Sequence, residues 1–393
     1  MATKTLELDI SGNIEPIFFV EEYERYRLLI RSQKHPLGWI DFSRDGEKIS
    51  SLKIQKLIKS QLGSLEHQAL TRKFAPAENE NYIKEGISVI VCTRNRTSQL
   101  ATCLQSLLSL SYPLFEIIIV DNAPSNNDTK ELTANLPVRY VREEKPGLDR
   151  ARNKGIAEAQ YEIVAFTDDD TKVDAFWLDS IARTFANKNV MGASGYVAPA
   201  ELETEAQHLF ELGFGGMGHG FYRRHIQREK MDDKQLLWAS SFGIGANMAF
   251  RKKVFQHIGL FDTALDVGTP SHGGGDVEIF HRLVTNGHLF VYEPSMLIWH
   301  YHRREEKALR RQIFDNGRSF GCYLINCYRK KTVNRNAILQ FFLHEWFYKW
   351  NLKNLVKKNK IPRKYALAEL YGMLTSPFAY WQTKKWDQEM NRH

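Results

Sequence analysis

The sequence predicts an α/β fold in which a mostly parallel sheet is flanked by helices. Between residues 86 and 185, apolar runs typical of buried strands alternate with stretches whose apolar residues recur at helical spacing. Three of the apolar runs end in polar clusters, and ligands collect at the carboxyl ends of the strands in such sheets. A hydrophobic fraction of 43% and a charged fraction of 25% are typical of a globular protein and exclude a wholly disordered chain.

The order of these elements can be predicted along the chain. Strands are expected at residues 87–92, 115–120, 138–141 and 162–167. Helices are expected at residues 98–110, 131–136, 150–159 and 176–185. A strand followed by a helix and a further parallel strand is the repeating unit of a doubly covered sheet.

The chain is longer than one ordinary domain, so appended segments are expected at both ends of a main domain. Residues 1–80 are predicted to form an accessory segment with a hairpin around Pro-Leu-Gly and one helix. A polar stretch over residues 71–86 marks the boundary near residue 80. The main domain then covers residues 81–305, and residues 306–393 form a helical, basic and aromatic tail.

Charge is distributed unevenly along the chain. Residues 303–393 contain 20 Lys and Arg against 7 Asp and Glu, although the net charge of the whole chain is only +8. Residues 337–350 place aromatic side chains nearly all round a helix, and basic residues follow up to residue 364. These features are compatible with a helix on an anionic membrane surface, but packing of the aromatic side chains against the main domain is the interpretation that we favour. We expect no nucleic-acid partner.

No stretch reaches the length of a membrane-spanning helix, and no signal peptide is recognisable at the start of the chain. The four cysteines show no CxxC pair and are expected to be free thiols in a reducing compartment. We therefore expect a cytoplasmic protein, located at the inner face of the cell membrane if the tail binds lipid.

The polar clusters at the strand ends are the candidate functional residues. They are Thr93-Arg94-Asn95-Arg96, Asp121-Asn122 and Asp168-Asp169-Asp170. Each alone could be a turn or a helix cap. Three adjacent carboxylates repel one another at the edge of a buried strand, which predicts a nearby cation such as Mg²⁺ or Mn²⁺. A calcium loop of the EF-hand type is not indicated, because its further ligands and closing Glu are missing.

Several motifs in the same region resemble those of the family 2 glycosyltransferases. VIVCTRNR, EIIIVDNAPSNND, KPGLDRARNKG and AFTDDD are followed by GIGANMAFRKKVF, GLFD, GGGDVEIFHRL and IWHYHR. The resemblance covers residues 86–305 and implies a Rossmann-like sheet of the GT-A type, with a nucleotide-binding half over about residues 86–172 and an acceptor half over about residues 173–305. It also implies inverting transfer of a sugar from a UDP, GDP or dTDP sugar to a hydroxyl of a saccharide or lipid-linked acceptor, in bacterial-type polysaccharide or glycoconjugate synthesis.

The resemblance also implies roles for individual residues. Asp276 would be the catalytic base, and Asp170 and His300 would bind the metal, although His302 is an alternative ligand. Asn247 and Glu278 would lie on the acceptor side. The donor would be bound by Thr93, Arg94, Asn95, Arg96, Asp121, Arg152, Asp168 and Asp169.

Asp276 also opens a predicted helix, so its alternative role is that of a helix cap. The family usually has Glu-Asp-x-Asp where this chain reads Gly275-Asp276-Val277-Glu278. Two other functions are compatible with this fold class. One is a nucleotidyltransferase that makes nucleotide sugars, although VIVCTRNR is not its usual glycine- and arginine-rich loop. The other is a non-catalytic module that binds nucleotide sugars.

Overall fold

The computed structural model describes residues 2–63, 84–356 and 361–392. The boundary predicted near residue 80 lies outside the described residues. The described chain forms an N-terminal sheet, a central nine-stranded sheet with helices on both faces, and a helical C-terminal region.

The central sheet has the strand order β10-β14-β11-β13-β9-β6-β7-β8, with β12 paired to β14. Strands β6, β7, β8, β9, β11 and β14 run in one direction, and β10, β12 and β13 run against them. The strands are β6 (Ile87–Thr93), β7 (Phe115–Asn122), β8 (Arg139–Glu143), β9 (Ile163–Asp168), β10 (Thr171–Val173), β11 (Val190–Pro199), β12 (Arg224–Ile226), β13 (Asn247–Arg251) and β14 (Leu289–His300).

Helices cover this sheet because successive strand residues point to opposite faces. Val89 and Val91 of β6 pack with one core cluster, whereas Ile90 between them packs with the other. Helices α2 and α5 cover the first face, and α4 and α9 cover the second. The main-domain helices are α2 (Thr97–Leu108), α3 (Asp128–Thr133), α4 (Leu148–Glu158), α5 (Trp177–Phe185), α6 (Glu205–His208), α7 (Asp233–Leu237), α8 (Val254–Ile258) and α9 (Gly275–Thr285).

The N-terminal region is larger than the predicted hairpin and helix. Strand β1 adds to the hairpin in parallel, and a short ribbon of β2 and β5 precedes the helix. Its elements are β1 (Thr3–Asp9), β2 (Ile17–Phe18), β3 (Arg25–Ser32), β4 (His35–Ser43), β5 (Lys48–Ile49) and α1 (Ser51–Leu62). A buried ion pair between Arg31 and Asp174, 2.6 Å apart, joins this region to the end of β10.

The prediction that the hairpin turns at Pro-Leu-Gly is wrong. The hairpin turns at Gln33 and Lys34, and Pro36 pairs with Arg31 inside β4. Gln33 has a φ of +52°, which suits a tight two-residue turn. The pairing register shifts beside Pro36, and such an irregularity accommodates a residue that has no N–H to donate.

The C-terminal region consists of helices that pack on the main domain. Helices α10 and α13 run side by side in the same direction, and glycines allow a close approach. A Cβ atom on Gly317 would lie 2.1 Å from the Glu369 carbonyl oxygen, and one on Gly372 would lie 2.0 Å from that of Phe314. The helices are α10 (Glu306–Lys330), α11 (Arg335–Gln340), a π-helix (Phe341–Leu352), α12 (Lys353–Val356) and α13 (Arg363–Arg392).

The predicted fold class is confirmed: an α/β fold with a mostly parallel sheet, a small N-terminal α+β region and a helical tail. Within the described ranges, none of the helices combines the length and the apolar character needed to cross a bilayer.

Candidate functional site

A cleft opens at the carboxyl ends of β6, β7 and β9, where the sequence predicted the functional residues to meet. Parallel neighbours end at the same edge of a sheet, so three loops distant in sequence converge there. The cleft is lined by Cys92, Thr93, Arg94, Arg96, Asn122, Leu148, Asp168, Asp169, Asp170, Met217, Val267, Gly268, His300, His302, Arg303 and Gln312.

The cleft cluster, which we define as Asp168, Asp169 and Asp170, consists of the last residue of β9 and the two-residue turn that leads into β10. Strand β10 pairs with the end of β14, where Thr171 faces His300. This pairing places one ligand atom each from Asp168, Asp170 and His300 within 4.8 Å of one another. Two carboxylates and an imidazole at this separation fit a divalent cation that accepts oxygen and nitrogen ligands.

The surroundings of the cleft cluster shift the pKa values of its three carboxyl groups in different directions. Burial raises the pKa of Asp168, and the neighbouring charge of Asp170 adds to this effect. Burial also raises the pKa of Asp169 to about 7. Burial acts in the same direction on Asp170, but the hydrogen bond and charge of His300, together with Arg96, hold its pKa well below the usual value. Asp170 therefore stays ionised and available as a metal ligand.

Arg96 binds the cleft cluster directly. Its guanidinium donates to Asp169 Oδ1 at 2.6 Å and to Asp170 Oδ2 at 2.7 Å. A second arginine, Arg303, lies 3.9 Å from Asp170 and is half exposed. The side chain of Arg96 thus already has acidic partners, whereas Arg303 remains available at the cleft.

The two candidate histidines have different neighbours. His300 Nε2 lies 3.2 Å from Asp170 Oδ1, and its Nδ1 has no hydrogen-bond partner. His302 Nε2 lies 3.3 Å from Glu211 Oε2, in a separate buried contact. The geometry therefore groups His300, rather than His302, with the two carboxylates.

The residues predicted to bind the donor have distinct positions. Arg94 is exposed and lines the cleft. Thr93 is buried and its hydroxyl donates to Asp169 Oδ2 at 2.8 Å. Asn95 is exposed with a φ of +55°, and its side-chain oxygen accepts from the backbone N–H of Ser125 at 2.9 Å. Arg94 is thus available to a ligand, whereas Thr93 and Asn95 order the loops beside it.

Asp121 is the last but one residue of β7, is fully buried, and does not itself line the cleft. Its Oδ2 accepts from the hydroxyl of Tyr140 at 3.0 Å, and its Oδ1 is buried without a hydrogen-bond partner. Burial raises the pKa of this carboxyl. An unsatisfied buried acceptor is costly, so Asp121 Oδ1 is suited to a donor group from a ligand.

Arg152 and Asp276 belong to a second acidic group behind the cleft. We define the buried cluster as Asp149, Asp266 and Asp276, which surround Arg152. Arg152 donates to Asp149 Oδ1 at 2.9 Å and is fully enclosed. Burial opposes its charge, but the carboxylates of Asp149, Asp168 and Asp276 raise its pKa. Arg152 is therefore within electrostatic reach of both acidic clusters, and it does not line the cleft.

Asp276 is the second residue of α9. The N-cap of this helix is Gly274, so the alternative role of Asp276 as the helix cap is wrong. Its Oδ1 accepts from the N–H of Val277 and its Oδ2 from the N–H of Gly245, both at 2.9 Å. The side chain is partly exposed, but it does not line the cleft that holds the cleft cluster.

The two residues predicted on the acceptor side are not brought to the cleft. Asn247 is buried in the sheet, where it donates to the carbonyls of Tyr196 and Met296 and accepts from Trp177. Glu278 is buried and binds Arg282 at 2.7 Å. Both side chains already have their partners, so their surroundings are those of packing residues.

Asn122, which belongs to the predicted cluster at the end of β7, fixes the loop before α4, because it accepts from the N–H of Gly147 and donates to the carbonyl of Lys145. Other residues of the site were not found from the sequence. Arg303 and Gln312 come from the beginning of the tail and form part of the cleft wall. Arg303 could have been noticed from its place beside His302, but no local pattern marks Gln312.

Comparison with known proteins identifies the family. The family described as "Glycosyl transferase family 2" matches residues 88–259. Glycosyltransferase AglE of Haloferax volcanii is 25% identical over 237 residues, which are 58% of this chain and 70% of that protein. Poly-beta-1,6-N-acetyl-D-glucosamine synthase of Staphylococcus epidermidis is 36% identical over 226 residues, which are 56% of this chain and 51% of that protein. The chain thus spans only about half the length of the synthase.

One solved structure was also compared. Mannosyltransferase PcManGT from Pyrobaculum calidifontis, in complex with GDP-Man and Mn²⁺, aligns with a TM-score of 0.47 and 15% identity, over 82% of this chain and 80% of that chain. The predicted resemblance to this family rests on the sequence matches and is confirmed by them. Residues 88–259 therefore match a domain of the family 2 glycosyltransferases, and the chain resembles that family.

Proposed function

We propose that this chain is an inverting, metal-dependent glycosyltransferase. It would transfer a sugar from a UDP, GDP or dTDP sugar to a hydroxyl of a saccharide or lipid-linked acceptor. The observation that carries the proposal is the grouping of Asp168, Asp170 and His300 within 4.8 Å at the mouth of a cleft in a family 2 domain.

The divalent ion would be Mn²⁺ or Mg²⁺, held by Asp168, Asp170 and His300. The donor set fits, because hard divalent ions favour carboxylate oxygens and because His300 Nδ1 is buried without a partner. When bound, the ion would stabilise the negative charge that develops on the departing diphosphate.

The chain's own groups would divide the remaining work. Asp121 Oδ1 would accept a hydrogen bond from the nucleotide, because it is the unsatisfied acceptor at the end of β7. Arg94 and Arg303 would contact the diphosphate, since both line the cleft and both are exposed. Arg96 would hold Asp169 and Asp170 in place rather than contact the donor.

Asp276 would accept the proton of the attacking hydroxyl. Two backbone N–H groups fix its carboxylate, and an oriented carboxylate within reach of a hydroxyl is a suitable general base. One displacement assisted by one base inverts the anomeric centre. This role requires that an acceptor-bound state brings the reacting hydroxyl to Asp276, because the cleft described above does not include this residue.

The acceptor class is proposed on a narrower basis. The synthase of S. epidermidis is named for a polysaccharide, which supports a saccharide acceptor and a role in polysaccharide or glycoconjugate synthesis. A nucleotidyltransferase and a non-catalytic binding module receive no support from the family match. A protein that only binds the donor could have the same fold and the same donor-binding residues as an enzyme. Turnover must therefore be measured.

The proposal is tested with a panel of UDP, GDP and dTDP sugars. Thermal unfolding of the full chain is measured with each sugar in the presence of Mn²⁺, Mg²⁺ or EDTA. We expect one nucleotide class to raise the unfolding temperature only with metal, because a ligand that binds the folded state stabilises it. With the sugar that binds, donor hydrolysis is then measured as release of the nucleoside diphosphate. The anomeric configuration of the product is determined by NMR of its anomeric proton. Equal stabilisation in EDTA would contradict metal dependence, and a retained configuration would contradict inversion.

A further inference from the structure

The outer face of α13 carries an apolar stripe, which we define as Leu367, Tyr371, Leu374, Phe378 and Trp381. These five side chains are 54% to 65% exposed. They are spaced by four, three, four and three residues, so they lie along one side of the helix. Large apolar side chains scattered singly on a surface are ordinary, but a continuous row indicates an interaction surface.

Contacts of the opposite face of α13 fix the orientation of this helix, so that the apolar stripe faces outward. Tyr365, Met373 and Tyr380 are buried, and Tyr380 contacts Asn326 of α10. At its far end, α13 is attached to the main domain, where Asp387 lies 2.7 Å from Arg150. The stripe is therefore held outward, and within the described residues nothing covers it.

The charge pattern around the stripe is also unusual for a surface helix. Between residues 365 and 383 the sequence contains a single charged residue, Glu369, which is turned toward Trp350 on the inner side. Basic residues stand at both ends, Arg363 and Lys364 before the stripe and Lys384 and Lys385 after it. The three lysines also contact carboxylates, those of Glu306, Asp262 and Glu389, so Arg363 is the basic residue most open to a head group. The whole segment 303–393 has 20 basic and 7 acidic residues.

We propose that the apolar stripe of α13 docks on the surface of an anionic lipid bilayer. Tyr and Trp favour the boundary between water and hydrocarbon, and cationic side chains beside an apolar face bind anionic head groups. The proposal concerns a surface different from residues 337–364. It goes beyond the proposed glycosyl transfer, because vesicle binding requires no turnover.

A second copy of this chain is the other occupant to consider. Spacing by four and three residues is also that of a coiled-coil seam, but such a seam normally has charged residues on its flanks and aliphatic residues in its core. The flanking positions here include Ala368, Leu370, Thr375 and Gln382, and three of the five stripe residues are aromatic. The chemistry of the stripe therefore favours lipid.

Docking in this way would bring the cleft near the bilayer. Helix α10, which packs along α13, contributes Gln312 to the cleft wall. Ser319 of the same helix lies beside Gly273 and Gly274, which lead into α9 and Asp276. The membrane surface and the cleft would thus be separated by the two helices α13 and α10.

The test is co-sedimentation of the full chain with vesicles made of equal parts phosphatidylcholine and phosphatidylglycerol. We expect the wild type to bind these vesicles, and to bind pure phosphatidylcholine more weakly. Replacing Leu374, Phe378 and Trp381 together by Ser should lower the partition coefficient about tenfold or more. The matched control, Leu114→Ser with Leu260→Ser, removes two exposed apolar side chains of the main domain and should bind like the wild type.

The result that would overturn the proposal is equally direct. A wild type that does not bind the anionic vesicles, or a triple variant that binds as well as the wild type, excludes the lipid surface. A wild-type dimer in light scattering that the triple variant converts to a monomer, without vesicle binding, would assign the stripe to a second copy. Thermal unfolding of the triple variant should match the wild type, and donor hydrolysis without vesicles should be unchanged, so failure of the stripe is separable from failure of the enzyme.

Discussion

The cleft cluster and the buried cluster each contain three aspartates beside an arginine, but the negative charge of the two clusters is balanced in different ways. In the cleft cluster, Asp170 remains ionised between Arg96 and His300 at the edge of an open cavity. In the buried cluster, burial raises the pKa of Asp266 to about 7, and the Asp266 carboxylate accepts from the N–H of Asp149 at 2.9 Å. The cleft cluster thus faces a cavity that could admit a metal beside Arg96, whereas Asp149 and Asp266 of the buried cluster are enclosed with Arg152.

This contrast shows that composition does not decide the role of an acidic group. Carboxylates that face a cavity can be neutralised by a ligand, so their excess charge is a binding feature. Asp149 and Asp266, which are enclosed with one arginine, are neutralised by protons, backbone N–H groups and that arginine, so they stabilise the loops that carry them; the partly exposed Asp276 is the member of this group proposed as the base. The following experiments are designed to separate the two cases.

The largest effect is expected for Asp276→Asn. We expect kcat to fall by about 10²- to 10⁴-fold with unchanged donor affinity, because the side chain would lose its basicity but keep its shape. Product formation and donor binding are measured separately. Glu278→Gln is the control, and it should leave kcat nearly unchanged because Glu278 binds Arg282 rather than substrate. A kcat of Asp276→Asn near that of the wild type would show that the buried cluster contains no catalytic group.

A further large effect is expected for Asp170→Asn. The donor affinity in Mn²⁺ should fall about 100-fold, to the value that the wild type shows in EDTA, because a neutral amide is a weak ligand for a divalent ion. Calorimetric titration of the donor measures this directly. An affinity that still responds to Mn²⁺ as strongly as in the wild type would mean that the cleft cluster does not hold the metal.

Loss of the central arginine should affect the two clusters unequally. Arg152→Met should lower the free energy of unfolding by about 3–5 kcal/mol, because it leaves enclosed carboxylates without their cation. Arg96→Met should cost about 1 kcal/mol, because the Arg96 side chain is 32% exposed. Urea unfolding is followed with and without Mn²⁺. Addition of Mn²⁺ should compensate for the loss of Arg96 but not for the loss of Arg152, and the opposite pattern would reverse our assignment of the clusters.

The smallest effect concerns the pH dependence of Asp169. Its pKa is about 7 in the folded protein and near 4 in the unfolded chain. The contribution of Asp169 to the free energy of unfolding is therefore fully present below pH 4 and is lost as the pH rises through 7. Asp169→Asn should therefore be more favourable relative to the wild type at pH 8 than at pH 5, by about 2–3 kcal/mol. Urea unfolding in EDTA at both pH values measures the difference. A difference that does not change with pH would mean that Asp169 does not titrate in this range.

Much of the central sheet could be predicted because its signals are local. The apolar runs that became β6, β7 and β9 were recognisable, and each run ended in the polar residues that now line the cleft. The pairing of Asp170 with His300 was also expected, but only from the order of motifs. The hydrogen-bonded register between β10 and β14 is what brings residues 130 positions apart into contact.

Other features could not be predicted because they depend on distant packing. The resemblance implied that Asn247 lies on the acceptor side, yet three buried partners satisfy it inside the sheet. Asp149 and Asp266 drew no notice, although their carboxylates organise the start of α4. Nothing in a single sequence indicates which of several aspartates will share one buried arginine.

The contacts at the end of α13 have a practical consequence for anyone who prepares the protein. Met390 accepts a hydrogen bond from Lys145, and Asn391 accepts one from Arg150, so the final turn of the helix rests against the loop that leads into α4. An affinity tag or fusion partner joined behind His393 would be separated from these contacts by only two residues, and we expect it to weaken them and so to loosen the loop. Attachment at the opposite end of the polypeptide avoids this artefact.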